Sequence, residues 1–173
     1  MGIAKHFGDV RSALEQLDQS ALERLAIHVR RAREAGKTVW LCGNGGSFAN
    51  AQHWVCDLVK VSHVRAMALG DNTPLLMAWA NDNGHHHSFA VELGIWASRG
   101  DMLICLSCSG TSANIVETIT VAKEQGVTSF LLTSIRQEQV AQADHILRVW
   151  SRDYGVIEDC HSAIGHWLTK ELT

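Results

Sequence analysis

The sequence predicts an α/β fold, a single-domain, doubly wound, five-stranded parallel sheet in the order 2-1-3-4-5. Two observations predict it. From Lys37 onward, short apolar runs alternate with helix-like segments, the pattern of parallel strands covered on both faces. Two glycine- and serine-rich loops, Gly43-Asn44-Gly45-Gly46-Ser47 and Ser107-Cys108-Ser109-Gly110-Thr111-Ser112, follow the first and third of those runs. In this strand order the first and third strands are neighbours where the winding reverses, and ligands bind there, outside the carboxyl ends of the strands.

The elements follow in order. Residues 1–36 read as an extra N-terminal helical segment, with one long helix or two between Asp9 and Ala35. Ser12-Ala13-Leu14-Glu15 and Ser20-Ala21-Leu22-Glu23 match the capping box, and Gly36 is a stop. Leu14, Leu17, Leu22, Leu25, Ile27 and Val29 give it a face to bury. A helix ahead of the first strand covers no crossover, so it serves oligomerisation or packs on its own sheet. Residues 37–173 form the sheet domain. Strand 38–42 leads to helix 47–60, and strand 65–69 to helix 73–80, with the only proline, Pro74, in a tolerated first-turn position. Helix 88–97, strand 102–106 and helix 112–125, ended by Gly126, come next. Strand 127–132, a short helix 138–141, strand 145–150 and a last helix 154–172 complete the chain. No internal repeat, low-complexity segment or linker interrupts it.

Bulk properties narrow the function. The 173 residues are 46% hydrophobic and 19% charged, with net charge −3. That balance gives no basic face for nucleic acid or an anionic membrane. No apolar run approaches a membrane span, and no apolar h-region follows Met1-Gly2-Ile3-Ala4-Lys5-His6 as a signal peptide requires. Five cysteines, an odd number without secretory context, point to a reduced cytoplasm. Cys105-Leu106-Ser107-Cys108 has C-x-x-C spacing but no second pair at metal spacing, so it reads as one buried strand cysteine and one loop cysteine.

A loop that leaves a strand and starts a helix presents unpaired N–H groups at the positive end of the helix dipole. Glycines allow close approach of an anion and serine hydroxyls add donors. Two such loops suggest a phosphorylated ligand. Neither is a nucleotide motif: G-x-x-x-x-G-K-[ST] is absent, Phe48 breaks G-x-G-x-x-G at its last position, and Asp71 lies beyond a glycine turn. No nucleotide cofactor is expected. His85-His86-His87 reads as exposed loop, from which one ring could reach the site or hold a metal adventitiously. Six scattered tryptophans, Trp40, Trp54, Trp79, Trp96, Trp150 and Trp167, read as packing residues.

Four stretches carry a resemblance: residues 41–53, Leu-Cys-Gly-Asn-Gly-Gly-Ser-Phe-Ala-Asn-Ala-Gln-His; Ala80-Asn81-Asp82; residues 107–114, Ser-Cys-Ser-Gly-Thr-Ser-Ala-Asn; and Ile157-Glu158-Asp159-Cys160-His161 with His166. The chain resembles the sugar isomerase (SIS) domain family, and within it the phosphoheptose isomerases, over nearly its whole length. The resemblance implies a flavodoxin-like SIS fold and an aldose–ketose isomerase. The implied reaction converts sedoheptulose 7-phosphate to D-glycero-D-manno-heptose 7-phosphate by enediol proton transfer, for heptose, lipopolysaccharide or other surface-glycan biosynthesis. It implies that Ser107, Cys108, Ser109 and Ser112 hold the phosphate and that Asn44, Gly45, Gly46, Ser47, Asn81, Asp82 and Glu158 bind the sugar. It implies one Zn2+ per site on His53, Asp57, Glu158 and His166, with Asp57 and His166 as the catalytic pair, in a cytoplasmic homotetramer with active sites between subunits. The alternative within the family is a non-catalytic binding module, either a replication-initiator-binding paralogue or a phosphosugar sensor.

The residues fit that chemistry in part. His53 and Asp57, four apart on one helix, project on the same side, which suits a shared metal or a solvated face. On an ideal last helix Glu158 and His166 stand about 12 Å apart along the axis and roughly 80° apart around it. One metal could take both only if the helix starts irregularly or a second subunit contributes, and His161 is the alternative partner. Cys160, Ala163, Ile164, Trp167 and Leu168 form the apolar stripe, with Glu158, His161 and His166 largely off it. Asp57 stands where the family has glutamate and Glu158 where it has glutamine. Two carboxylates facing one site would repel unless a cation or shared proton relieved them. Cys108 and Thr111 replace the usual threonine and asparagine, and a glycine-rich insertion after Thr133 is missing.

Overall fold

The computed structural model describes residues 2–173. Its elements are α1 (Ile3–Glu15), α2 (Gln19–Glu34), β1 (Val39–Gly43), α3 (Gly46–Lys60), β2 (Ala66–Ala68), α4 (Thr73–Asn83), a 3₁₀ turn (His85–His87), α5 (Ser88–Trp96), β3 (Met102–Leu106), α6 (Ala113–Gln125), β4 (Thr128–Ser134), β5 (His145–Val149) and α7 (Tyr154–Glu171). The sheet is all-parallel, in the expected order β2-β1-β3-β4-β5.

Strand alternation assigns the side chains to two cores. Val39, Leu41, Ile104, Leu106, Phe130 and Leu132 meet α2, α3 and α7 through Leu25, Val29, Trp54, Leu58, Ile164 and Leu168. Trp40, Cys42, Leu103, Cys105 and Leu131 meet α5 and α6 through Phe89, Leu93, Ile115 and Ile119. Strands buried on both faces must be apolar throughout, and every residue of β1 and β3 is buried. The Cys105 reading holds: its thiol lies in the core, 3.4 Å from the Cys42 sulfur, and all five cysteines are free.

Of the alternatives left open for the N-terminal segment, the structure has two helices, with α2 packed on its own sheet; other local expectations need correction. The cap of α2 is Asp18, whose carboxylate accepts from the Ser20 and Ala21 N–H groups. Ser20 lies inside the helix and Ser12 inside α1, so neither capping box forms. Residues 138–141 form no helix. Val140 is drawn into the core, the Ala141 N–H donates to the Gly110 carbonyl, and the Arg148 guanidinium donates to the carbonyls of Ser134, Gln137 and Glu138. Those tertiary bonds hold the segment in a bent, irregular path where local propensity favoured a turn of helix. Two tryptophans, Trp96 and Trp150, are exposed instead of packed.

The approach of α3 to α7 positions the site. A Cβ on Gly165 would overlap the Trp54 indole, so only glycine lets that ring lie against α7. The Trp54 Nε1–H donates to the His161 carbonyl at 3.1 Å. His53 on α3 and His166 on α7 are the immediate neighbours of this contact.

Candidate active site

Two clusters of functional side chains lie along the α3–α7 pair. The first is a cleft of about 180 Å³ at the carboxyl ends of β1 and β3, lined by Asn44, Ser47, Leu106, Ser107, Cys108, Ser109, Ser112, Tyr154 and Glu158. The loop after β3 is held by its own atoms. The Ser107 hydroxyl accepts from the Gly110 N–H at 3.1 Å, and Ser109 from the Thr111 N–H at 3.3 Å. Ser134 donates to the Cys108 carbonyl at 2.6 Å. Ser112 is the N-cap of α6, and its hydroxyl caps nothing within the chain. That leaves hydroxyls and the first N–H groups of α6 directed to one place, the arrangement that receives an anion. Burial pushes the Cys108 thiol up, which keeps it protonated beside an anion.

The loop after β1 differs. Glu158 fills the amino end of α3 with its own carboxylate. A Cβ on Gly46 would fall 2.6 Å from Glu158 Oε1, and Ser47 Oγ donates to that oxygen at 3.4 Å. Asn50 Nδ2 donates to the Glu158 carbonyl at 2.9 Å. The protein's own anion therefore occupies the positive end of this helix, and only the loop after β3 offers an open cradle.

The second cluster is His53, Asp57 and His166, whose ligand atoms lie within 4.8 Å of one another. His53 Nε2 and His166 Nε2 are 2.9 Å apart, and Asp57 Oδ2 is 3.4 Å from the first and 3.9 Å from the second. Two imidazoles and a carboxylate are the donor set of a catalytic zinc site, which uses three protein ligands and leaves one position open. Bonds of about 2.0–2.1 Å in a tetrahedron put ligand atoms roughly 3.3 Å apart, and the three separations bracket that value. The residues fit the metal. About half of each histidine side chain is exposed, so the cluster opens to solvent.

Glu158 is not part of this cluster. With α7 regular from Tyr154, the 8-residue separation from His166 keeps the two apart, as ideal helix geometry requires. The two carboxylates, Asp57 and Glu158, therefore serve different places. His161 is excluded as a partner and is a correction. It is fully buried, on the stripe of Ile157, Ile164 and Leu168, and neither ring nitrogen finds a hydrogen-bond partner. Burial pushes its pKa down to about 4. Position 161 follows Ile157 by four and precedes Ile164 by three, which puts it on the core side of the helix.

Asn81 and Asp82 end α4, exposed and bonded to each other at 2.7 Å, outside the lining of the cleft. Gly45 and Gly46 shape the cleft wall without lining it. Reasoning from sequence missed Tyr154, the first residue of α7, and Leu106, the last of β3. The signal available for both was topological, since in this strand order the ends of β3 and β5 open on the same edge of the sheet.

A family model described as SIS domain matches residues 4–134. A phosphoheptose isomerase of Rhodospirillum rubrum is 37% identical over 86% of this chain and 82% of its own length. That of Maridesulfovibrio salexigens is 33% identical over 90% of this chain and 78% of its own. A solved phosphoheptose isomerase from Neisseria gonorrhoeae superposes with a TM-score of 0.89 at 26% identity, covering 99% of this chain and 97% of that one.

Proposed function

Because the chain belongs to the SIS-domain family, among the phosphoheptose isomerases, we propose that it is an aldose–ketose isomerase that converts sedoheptulose 7-phosphate to D-glycero-D-manno-heptose 7-phosphate. The observation that carries this reading is the open anion cradle after β3, in a cleft also walled by Ser47 of α3 and Glu158 of α7, the two helices that carry the His–Asp–His cluster.

In this reading Ser107, Ser109 and Ser112 hold the phosphate with the N–H groups of α6, while Asn44, Ser47 and Glu158 meet the sugar hydroxyls. Asn81 and Asp82 reach the sugar only if α4 moves or a second subunit intervenes. Asp57 turns Oδ2 toward both histidines, which leaves Oδ1 to take the proton from C1 of the ketose and return it to C2. His166, whose Nε2 faces the cluster, uses Nδ1 to pass a proton to the C2 oxygen as the enediol forms and to accept one from the C1 hydroxyl as it collapses. His53, Asp57 and His166 would hold a Zn2+, which when bound polarises the carbonyl as a Lewis acid. Asp57, one methylene shorter than the family's glutamate, is accommodated by the close α3–α7 approach. A homotetramer with sites between subunits would cover the open side of the His–Asp–His cluster, and exposed Ile3 and Phe7 on α1 give that helix an apolar face for such a contact. No helix among the described residues is long and apolar enough to cross a membrane, consistent with a cytoplasmic enzyme supplying heptose to surface glycans.

The test is direct. Purified protein is incubated with sedoheptulose 7-phosphate, with and without zinc and a chelator, beside Asp57→Ala and His166→Ala. Turnover by wild type that both variants lose supports the reading. Absence of turnover across a panel of ketose phosphates sinks it.

A further inference from the structure

The His85–His87 turn has no part in the site described so far, yet His85 reaches its floor. Asn114, in the first turn of α6, is 2% exposed. Its Nδ2 donates to Asn44 Oδ1 at 2.8 Å, and Asn44 Nδ2 donates to Asn114 Oδ1 at 2.9 Å. The two amides form a closed ring. Such a ring is degenerate: turning both amides over preserves both bonds and exchanges donor for acceptor at every position. Each amide also keeps one N–H outside the ring. That of Asn114 points to His85 Nε2 at 3.3 Å, and Asn44 lines the cleft.

His85 breaks the degeneracy. A bare Nε2 accepts from the Asn114 N–H. If both amides turned over, the Asn114 carbonyl oxygen would face that same lone pair, and the buried N–H would lose its partner. Because the amides turn together, the state of His85 decides whether Asn44 offers a donor or an acceptor at a given point of the cleft wall.

We propose that His85 is a positioning residue for the isomerisation: its neutral, Nδ1-protonated tautomer fixes the Asn114 amide and, through it, the end of the Asn44 amide that meets the sugar oxygens. The proposal rests on the reading of this cleft as a sugar-phosphate site. It gives the exposed ring at position 85 a task beyond packing, and its loss costs stability only through the buried Asn114 N–H left without an acceptor. The acceptor is what matters. A glutamine, whose Oε1 can accept from the Asn114 N–H, should replace it, and a leucine should not.

The experiment combines ¹⁵N NMR with kinetics on the full-length wild type, His85→Leu and His85→Gln. In wild type the Nε2 resonance of His85 is expected at the unprotonated position. His85→Leu is expected to shift or double the side-chain amide resonances of Asn44 and to lower kcat by about tenfold, the size of one lost hydrogen bond. KM should stay near wild type, the melting temperature should fall by no more than the loss of one buried hydrogen bond brings, and His85→Gln should restore both kcat and the resonances. A proton on Nε2, unchanged Asn44 resonances in His85→Leu, or a loss of kcat that glutamine does not rescue would overturn the proposal. If wild type fails to turn over sedoheptulose 7-phosphate, the functional reading fails. The NMR coupling between position 85 and the Asn44 amide still decides the positioning role by itself.

Discussion

The cleft after β3 and the His–Asp–His cluster are built by opposite means. The cleft is made mostly of backbone and short hydroxyls. Its loop is tied to β4 through Ser134 and to itself through Ser107 and Ser109, with Ser107, Cys108 and Gly110 buried. The cluster is made of side-chain ends on two helix surfaces, half open to water. Backbone donors at a helix start are directed by the fold whether or not a ligand is present. Imidazole and carboxylate tips on a solvated face are held chiefly by one another. One chain therefore carries a backbone-built cradle beside a side-chain-built cluster.

The sharpest way to break that contrast is at the cluster. Asp57→Asn or His166→Ala is expected to lower turnover by about 10²–10⁴-fold, the range of general acid–base catalysis, with the binding of inorganic phosphate to the cleft unchanged in calorimetry. Loss of phosphate binding in these variants would show that the two regions are one unit.

Next in size is the acid response of α7. His161 is buried neutral with a pKa near 4, so the unfolded chain binds its proton first as pH falls. The stability tied to the neutral ring is fully present above about 6.5 and is lost as pH drops toward 4, by about 3 kcal/mol in all. Denaturant midpoints between pH 7 and 4 measure it, and His161→Leu should flatten that part of the profile. A wild-type profile as flat as the variant's would mean that the ring is solvated.

The close approach of α3 and α7 comes next. Gly165→Ala forces the Trp54 indole away and should cost about 1–3 kcal/mol. It should weaken Zn2+ binding while sparing phosphate binding, as read by metal competition and calorimetry. Equal loss of both would erase the distinction between a backbone-built and a side-chain-built region. The smallest effect is at the cleft. Ser109→Ala or Ser112→Ala removes one hydroxyl donor and should raise KM by about tenfold with kcat nearly constant. A fall in kcat instead would place that hydroxyl at the reacting carbons.

The fold was legible because the alternation of apolar runs and helices leaves few topologies open, and because two loops marked the switch point. Spacing on single elements was legible too: His53 and Asp57 do share a face, and Glu158 and His166 do stand apart. Contacts between elements were not. Nothing local to residue 158 says that its carboxylate will meet Gly46, whereas the spacing of His161 from Ile157 and Ile164 did mark it as inward. The 138–141 segment failed for the same reason, because Arg148, from a later strand, claims its carbonyls. His85 stood in a conspicuous run, but the amide ring it touches joins two residues 70 positions apart.

The pairing of α3 with α7 has a consequence for how the molecule can change. Cleft and cluster sit at two levels of the same pair of rods. A helix cannot be stretched by a fraction of a residue: one inserted residue adds about 1.5 Å and swings everything beyond it by about 100°. The span along these rods from Ser47 and Glu158 in the cleft to His53 and His166 in the cluster is thus set in whole turns, like the teeth of a ratchet. A lineage seeking a shorter or longer substrate from this scaffold cannot slide His53 along α3 by degrees. It must leave the helices alone and remodel the loops, or bring the second half of the site from another chain.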